Sequence, residues 1–491
     1  MNTSLLVGCI LLGSVLQFFC FGRRMIPVAA WLSPIFLLHF SHAVPPAIGL
    51  PLVWLAIYAA SMLAYRDVIP IPGGWYPVIV AAISLALTLP YVADRLLYTS
   101  LPGFAAALVF PTAWVVMEFA TARTSPYGSW GSVAYTQWSD LPLLQLASVT
   151  GLWGISFLVA WFGSTVNWAL ENRFDWSILQ AGIIAYVLAW VTVMVAGALR
   201  LAFAKAGRTI RTAVIGWPNG LVERSTFMQA LRPGPLSEAD RSALQKVFGS
   251  VQDHFIEASR REALAGSKII VWPEACVMVF KSDEAAFLHR AEQFSASAEV
   301  SVVMGLASII EGARPRIENK AVLVDPSKGV VYSYLKRNPV PGWEAQISVK
   351  SDGCMPTYDS AYGRLGSAIC FDMDFPQFVR QTGQRGLDLL LVPASDWEAI
   401  KDLHHILASV RSVENGFAMV RAARWGVSAA VDAFGRTLAR TDSFAADPDV
   451  TVAQVPLGSV ATLYARLGDW FAWLCAAGLA AIAMGSLLGA I

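Results

Sequence analysis

Eight apolar stretches, each near the length that crosses a lipid bilayer, constrain this chain more than any other feature. They lie at residues 3–22, 26–42, 47–65, 74–92, 101–121, 148–170, 178–203 and 467–489. A helix of roughly 17–25 apolar residues spans the hydrocarbon core, because it satisfies every backbone polar group internally. The stretch at 26–42 is short, and a buried core helix is the alternative reading there. Charge divides the chain at the same place, since residues 1–205 hold 14 of the 71 charged side chains. The spacing therefore predicts a polytopic membrane domain at 1–205 with about seven spans, a soluble domain at 207–462, and a C-terminal transmembrane helix at 467–489.

The net charge of +1 and the lack of a basic stripe exclude a nucleic-acid partner. "MNTSLL" at the start lacks positive charge, and Arg23 and Arg24 follow the first apolar stretch, the reverse of a cleavable signal. Cys9, Cys20 and Cys475 fall in or beside spans, whereas Cys276, Cys354 and Cys370 fall in the soluble region. Their spacing fits neither a zinc site nor a disulfide framework, which leaves room for one free reactive thiol.

Between 207 and 462, short apolar runs alternate with amphipathic helices. "RTAVIGW", "SKIIVWP", "VSVVMGL", "KAVLVDP", "GVVYSYL", "LGSAIC", "LDLLLVP", "FAMVRAA" and "VSAAVDA" read as mostly buried strands. Leu244, Val247, Phe248, Val251, Phe255 and Ile256 share one face of a helix over 239–265. Further helices are expected at 283–298, 375–385 and 401–415. Strands covered by helices on one face make a layered α/β domain, and about 250 residues suffice for one large core.

Three positions just past strand ends carry chemistry: Glu274 in "IIVWPEACV", Lys336 in "VVYSYLKRNPVPGWE" and Cys370 in "LGSAICFDMDFPQFVR". Taken singly, each has an ordinary explanation as a solvated rim charge, an edge lysine or a small core thiol. Their joint placement at strand ends, where scaffolds present reactive groups, makes the stronger case. A free thiol, with a pKa near 8.5, is mostly protonated at neutral pH; a helix amino end or a cation lowers that value. The spacing places a helix start at Asp374, with Pro376 in its first turn, close behind Cys370. Glu274 is then the candidate general base and Lys336 the cation facing a developing oxyanion.

These three segments together resemble the Glu-Lys-Cys triad of the nitrilase, or carbon-nitrogen hydrolase, superfamily. That resemblance implies an α-β-β-α sandwich. "RSVENGFAMVRAARWGVSAAVDAFGR" is similar to the family's closing helix-strand-strand unit around Arg411, Glu414, Arg421, Gly426 and Ser428. It also implies Glu344 as a second acidic residue bordering the site, with Asp372 and Trp397 as further substrate-binding positions. "SPYGSWGSVAYTQWSDLPLLQLASVTGLWGISFLVAW" at 125–161 and "TLYARLGDWFAWLC" at 462–475 resemble the membrane-bound branch, the apolipoprotein N-acyltransferases. The fold class read in this way is a multi-span α-helical membrane domain plus an α/β nitrilase-like sandwich.

The branch's activity, carried over by resemblance, moves a fatty acyl group from a phospholipid through a cysteine thioester to the α-amine of a diacylglyceryl-cysteine lipoprotein. The partners implied are a phospholipid acyl donor, a lipoprotein acceptor and the bilayer, with no cofactor and no metal. Departures from the branch pattern fall near the pocket: Asp372 where Glu is usual, "GWPNG" at 216–220, "PASDWEAI" at 393–400, and Arg424 where Asn is typical. "CFDMDFP" itself reads closer to soluble amidases. A membrane-anchored amidase acting on a small or lipid amide is therefore the alternative, and a non-catalytic membrane scaffold the third reading.

Localisation follows from the resemblance as a multi-pass bacterial inner membrane protein with a periplasmic catalytic domain. Arginine placement opposes this. Arg23, Arg24, Arg66, Arg123, Arg200 and Lys205 fall on the side from which the soluble region emerges, and only Arg95 and Arg173 on the other. The positive-inside rule alone puts that region in the cytoplasm, although the rule weakens beside large domains. Glu118, inside a span, is a functional candidate or a polar contact between helices. Trp272, Trp343 and Trp397 are read as pocket or interface residues, and His404 and His405 as surface residues.

Overall fold

The computed structural model describes residues 3–70, 73–204, 207–218, 220–222, 224–232, 234–313, 316–445 and 450–488. Lys205, Asn219 and the final residue of the 467–489 stretch lie outside the described residues. The chain forms two compact units, Met1–Ala204 with Arg466–Ile491, and Lys205–Ala465.

In the first unit, helices Thr3–Phe18, Pro27–Ala43, Pro46–Ala64, Tyr76–Leu97, Val109–Thr124, Leu152–Glu171, Trp176–Ala202 and Trp470–Leu487 occupy the eight apolar stretches. Five segments among the described residues are long and apolar enough to cross a membrane: Pro46–Ala64, Tyr76–Ser100, Gly103–Thr124, Trp176–Ala202 and Trp470–Leu487. That is fewer than the seven or eight read from the sequence. Thr3–Phe18 stops after 16 residues, about 24 Å at the helical rise, and Pro27–Ala43 after 17. Leu152–Glu171 is long enough but carries Ser, Thr, Asn and Trp side chains and is mostly buried.

Polar contacts hold this unit together where apolar packing cannot discriminate between helices and lipid. Glu118 is buried and accepts hydrogen bonds from Trp114 Nε1 (2.9 Å), Val133 N (2.8 Å), Ser132 Oγ (2.7 Å) and Ser156 Oγ (2.6 Å). Four donors from three segments make it the polar contact between helices. Asp469 caps the unit's last helix and accepts from Trp153 Nε1 at 2.9 Å, with Arg123 Nη2 at 3.4 Å.

The second unit contains thirteen strands among the described residues: β1 (Thr209–Ile215), β2 (Ile269–Val271), β3 (Val277–Phe280), β4 (Ser301–Ile309), β5 (Ile317–Asp325), β6 (Gly329–Leu335), β7 (Thr357–Ser360), β8 (Gly363–Ser367), β9 (Leu389–Ala394), β10 (Ala418–Ala423), β11 (Val427–Val431), β12 (Thr437–Asp442) and β13 (Val450–Pro456). One sheet runs β13-β1-β2-β4-β5-β6 with β3 also on β4, and the other β12-β11-β10-β9-β8-β7. Successive residues of the first sheet serve opposite faces, as the two-residue period of a strand requires. Val214, Ile269, Val271, Val303, Ala321 and Leu323 face the second sheet's Leu365, Leu389, Leu391 and Val420. Ala213, Ile215, Ile270, Val302, Met304 and Val322 instead pack against Phe255 and Phe294 of helices Glu238–Leu264 and Glu284–Ala298.

Helices Pro376–Gln384 and Lys401–Asn415 accompany the second sheet, which completes the α-β-β-α sandwich. Ser237 caps the long helix by accepting from Asp240 N, with Glu238 and Asp240 placed favourably in its first turn. Four strands absent from the sequence reading are β3, β7, β12 and β13. β7 and β12 close the second sheet's edges, where half-exposed residues give no continuous apolar run.

Candidate active site

β2 and β3 lie end to end along β4, pairing with Ser301–Val303 and with Leu306–Ile309 respectively. The chain leaves the sheet between them at Trp272–Cys276, and that turn carries Glu274. Gly305 stands opposite the break, where a Cβ would come within 1.9 Å of Pro273 O and 2.7 Å of Glu274 Cα. Only glycine permits this approach. Ala275 adopts a left-handed φ of 48°, and the Glu274 amide donates to Ala394 O at 3.2 Å.

Lys336 follows β6 and is 2 % exposed. Its backbone amide donates to Asn319 O at 2.9 Å. Nζ donates to Glu274 Oε1 at 2.7 Å and to Glu344 at 2.8 and 3.0 Å. Asn319 Nδ2 reaches the same two carboxylates, at 2.7 Å to Glu274 and 3.1 Å to Glu344. Burial works against the lysine's charge, yet Glu274 and Glu344 hold its pKa well above the ordinary value. Burial pushes the Glu274 carboxyl up, Lys336 opposes that shift, and Glu344 adds to it.

Cys370 follows β8 with φ 46°, a left-handed conformation rare for a residue with a side chain. Its thiol donates to Ser395 O at 3.5 Å. Burial pushes the thiol pKa well up; Glu274 adds to the shift while Lys336 and Arg421 oppose it. The sequence reading placed a helix start at Asp374, where its positive end would favour a thiolate. Instead Cys370–Asp374 is a 3-10 turn, and the helix begins at Pro376. Burial therefore disfavours a thiolate here, and a base is needed to deprotonate the sulfur.

The residues expected to border the substrate divide. Glu344 lies on the short helix Trp343–Ile347 and keeps partial exposure beside Lys336. Asp372 is fully buried: Oδ2 accepts from Tyr334 Oη (2.8 Å) and Ile369 N (3.0 Å), Oδ1 from Asn338 N (2.9 Å) and Nδ2 (3.0 Å). With every acceptor site engaged, it fastens the loop after Lys336 to the cysteine turn, which is a positioning part in place of the substrate contact expected. Burial pushes its carboxyl up to about 6 against the pull of those donors. Trp397 is half-buried with its ring 6.2 Å from that of His404. Trp272 is buried and donates to Ser259 Oγ at 2.8 Å, away from the site, whereas Trp343 is exposed.

His404 and His405 are not surface residues: both are buried. His404 Nδ1 contacts Asp396 Oδ1 at 2.9 Å, and its Nε2 lies 3.3 Å from Asp374 Oδ2. Arg421 Nη2 grips both Asp396 oxygens at 2.7 and 2.8 Å. Burial works to raise the Asp396 carboxyl, but Arg421 and His404 hold it below its usual value. One Asp396 oxygen lies 4.0 Å from the Cys370 sulfur. This network behind Cys370 has no counterpart in the sequence analysis, although Asp396 and Arg421 both lie in segments quoted there. Cys370, Asp396 and His404 have metal-ligand chemistry at short range, but the Arg421 guanidinium already takes the place beside Asp396 that a cation needs.

A buried carboxylate–ammonium pair from one sheet and a buried thiol from the other thus stand at strand ends, near enough for the pair's charges to act on the thiol. Such a set can deprotonate sulfur, stabilise an oxyanion and carry an acyl group as a thioester. Residues 232–465 match the carbon-nitrogen hydrolase family, and residues 13–165 match the apolipoprotein N-acyltransferase N-terminal domain. The apolipoprotein N-acyltransferase of Geobacter metallireducens is 28% identical over 408 residues, spanning 78% of this chain and 74% of that one. That of Shewanella oneidensis is 26% identical over 392 residues, spanning 74% and 70%. A solved amidase from Nesterenkonia sp. is 20% identical with a TM-score of 0.40, covering 51% of this chain and 92% of the amidase.

Proposed function

This chain belongs to the apolipoprotein N-acyltransferases, the membrane branch of the carbon-nitrogen hydrolases, and on that premise we propose the following course for its reaction. Glu274 takes the Cys370 proton as the sulfur attacks the carbonyl of a phospholipid acyl ester. Lys336 faces the oxyanion of the tetrahedral intermediate. Collapse breaks the carbon–oxygen bond, Glu274 returns the proton to the departing alkoxide, and lysophospholipid leaves a thioester on Cys370. The α-amine of a diacylglyceryl-cysteine lipoprotein then attacks the thioester. Glu274 accepts the amine's proton, the carbon–sulfur bond breaks, and the proton returns to sulfur as the amide is released.

The observation that carries this reading is the Lys336–Glu274 ion pair at 2.7 Å, buried beside a thiol whose pKa both groups move. A thiol pushed up by burial needs a base, and Glu274 is the carboxylate that acts on it most strongly. Both substrates are lipids, which accounts for a membrane unit on the same chain. We assign the protein to the bacterial inner membrane with Lys205–Ala465 on the periplasmic face.

Incubation with phospholipid labelled in its acyl chain, followed by mass spectrometry of the Cys370 peptide, tests the assignment. Label on Cys370 that chases onto a lipopeptide amine is expected. A Cys370→Ala protein that still transfers label removes the proposal, and ammonia release from amides without a lipid adduct replaces it with hydrolysis.

A further inference from the structure

Arg424, the residue after β10, closes a ring of hydrogen bonds around the Glu274 turn. Its backbone amide donates to Ala394 O at 2.9 Å, and the Glu274 amide donates to that same carbonyl at 3.2 Å. Its Nη1 then donates to Ala275 O at 3.2 Å. The guanidinium carbon lies 3.8 Å from the Trp217 ring centre and 4.5 Å from that of Trp425. Stacking on two indoles fixes a planar cation in a way that a lysine cannot reproduce. The next carbonyl, that of Ser395 just past β9, receives the Cys370 thiol. One strand end therefore references both the base and the nucleophile, and Arg424 ties the base to it.

We propose that Arg424 is a positioning residue for the general base, holding the Glu274 turn to the end of β9 through Ala275 O. Its guanidinium acts through the backbone that carries the carboxylate and through its charge. The titratable groups facing that carboxylate are Lys336, Glu344 and Cys370, with Asn319 as a neutral donor. Arg424 adds a more distant positive charge: burial brings its pKa down to about 10, against which Cys276 and then Glu274 raise it. By reciprocity, removing that charge makes Glu274 harder to ionise. The inference rests on Glu274 being the base.

The experiment measures single-turnover acylation of the full-length protein by labelled phospholipid across pH, in detergent, for Arg424→Gln, Arg424→Lys and Glu274→Gln. Arg424→Gln is expected to lose about ten- to a hundredfold in acylation rate, the scale of an ångström-level misplacement. Its half-saturating phospholipid concentration stays unchanged, its acid limb moves to higher pH, and its melting temperature stays within a few degrees. Arg424→Lys keeps the charge and returns the limb to its native position with part of the rate. Native rate and native limb in Arg424→Gln overturn the inference. So does an equal loss in both arginine variants with no movement of the limb, since packing alone explains that. If Glu274→Gln still acylates, the base assignment fails as well; if it abolishes acylation while Arg424→Gln is native, only the Arg424 inference falls.

Discussion

Gly305→Ala is a one-carbon change whose effect can be worked from the coordinates. The added Cβ would stand 1.9 Å from Pro273 O, 2.6 Å from Pro273 C and 2.7 Å from Glu274 Cα. All three are backbone atoms, so no side-chain rotation relieves the clash. Ordinary contact begins at 3.4 Å, and the turn must retreat by about 1.5 Å to reach it. Misplacing a catalytic group by ~1 Å costs about a hundredfold in rate, or ~2.7 kcal/mol of barrier. The loss should appear in the acylation half-reaction, measured by rapid quench with enzyme in excess over labelled phospholipid. Gly249→Ala is the control: its Cβ meets nothing within 4 Å, and alanine in a helix gains up to about 1 kcal/mol over glycine. A folded Gly305→Ala protein that acylates within threefold of the native rate would refute the argument that this glycine sets the base.

Glu344→Gln removes a negative neighbour that raises Glu274; the base then ionises more readily, and the acid limb of acylation should move to lower pH. A limb that stays put or moves upward shows that Glu344 does not act on Glu274 through its charge. His405 is held down to about 3, first by burial and then by Arg421 and Arg440. The unfolded chain binds a proton there near pH 6.5 that the folded chain refuses. Stability is therefore full above that pH and falls as pH drops toward 3, by on the order of 5 kcal/mol. His405→Gln should flatten this part of the melting-temperature profile, and an unchanged slope would point to other groups. Glu118→Ala strands Trp114 Nε1, Val133 N and two serine hydroxyls, costing about 3 kcal/mol or more. Glu118→Gln should cost less, because both hydroxyls can turn to accept, and equal melting temperatures for the two variants would contradict the hub reading.

The sandwich was legible because its central strands are continuous apolar runs and its helices have one apolar face. The strand-end positions of Glu274, Lys336 and Cys370 were legible for the same reason: a Pro or polar residue marks where each run stops. What binds these positions together was not. Asp374, Asp396, His404 and Arg421 come from four segments, and no local spacing reports that they converge. Lys401–Asn415 reads as amphipathic, yet Leu403 through Asn415 are all buried. Its polar face is occupied by Asp396 at His404 and by the Arg411–Glu414 pair at 2.6 Å. A paired polar face looks the same in sequence as a wet one. The left-handed backbone at Cys370 is equally silent, since cysteine carries no signature for positive φ. The membrane count differs in kind: apolar length in sequence overstated how far Thr3–Phe18 and Pro27–Ala43 run before a turn interrupts them, and Leu152–Glu171 is long enough but carries polar side chains that face its neighbours.

The proposed nucleophile and base come from different sheets, Cys370 from the end of β8 and Glu274 from the break beside β4. Neither sheet alone assembles a reactive sulfur. The two side chains come together only where the two layers close face to face.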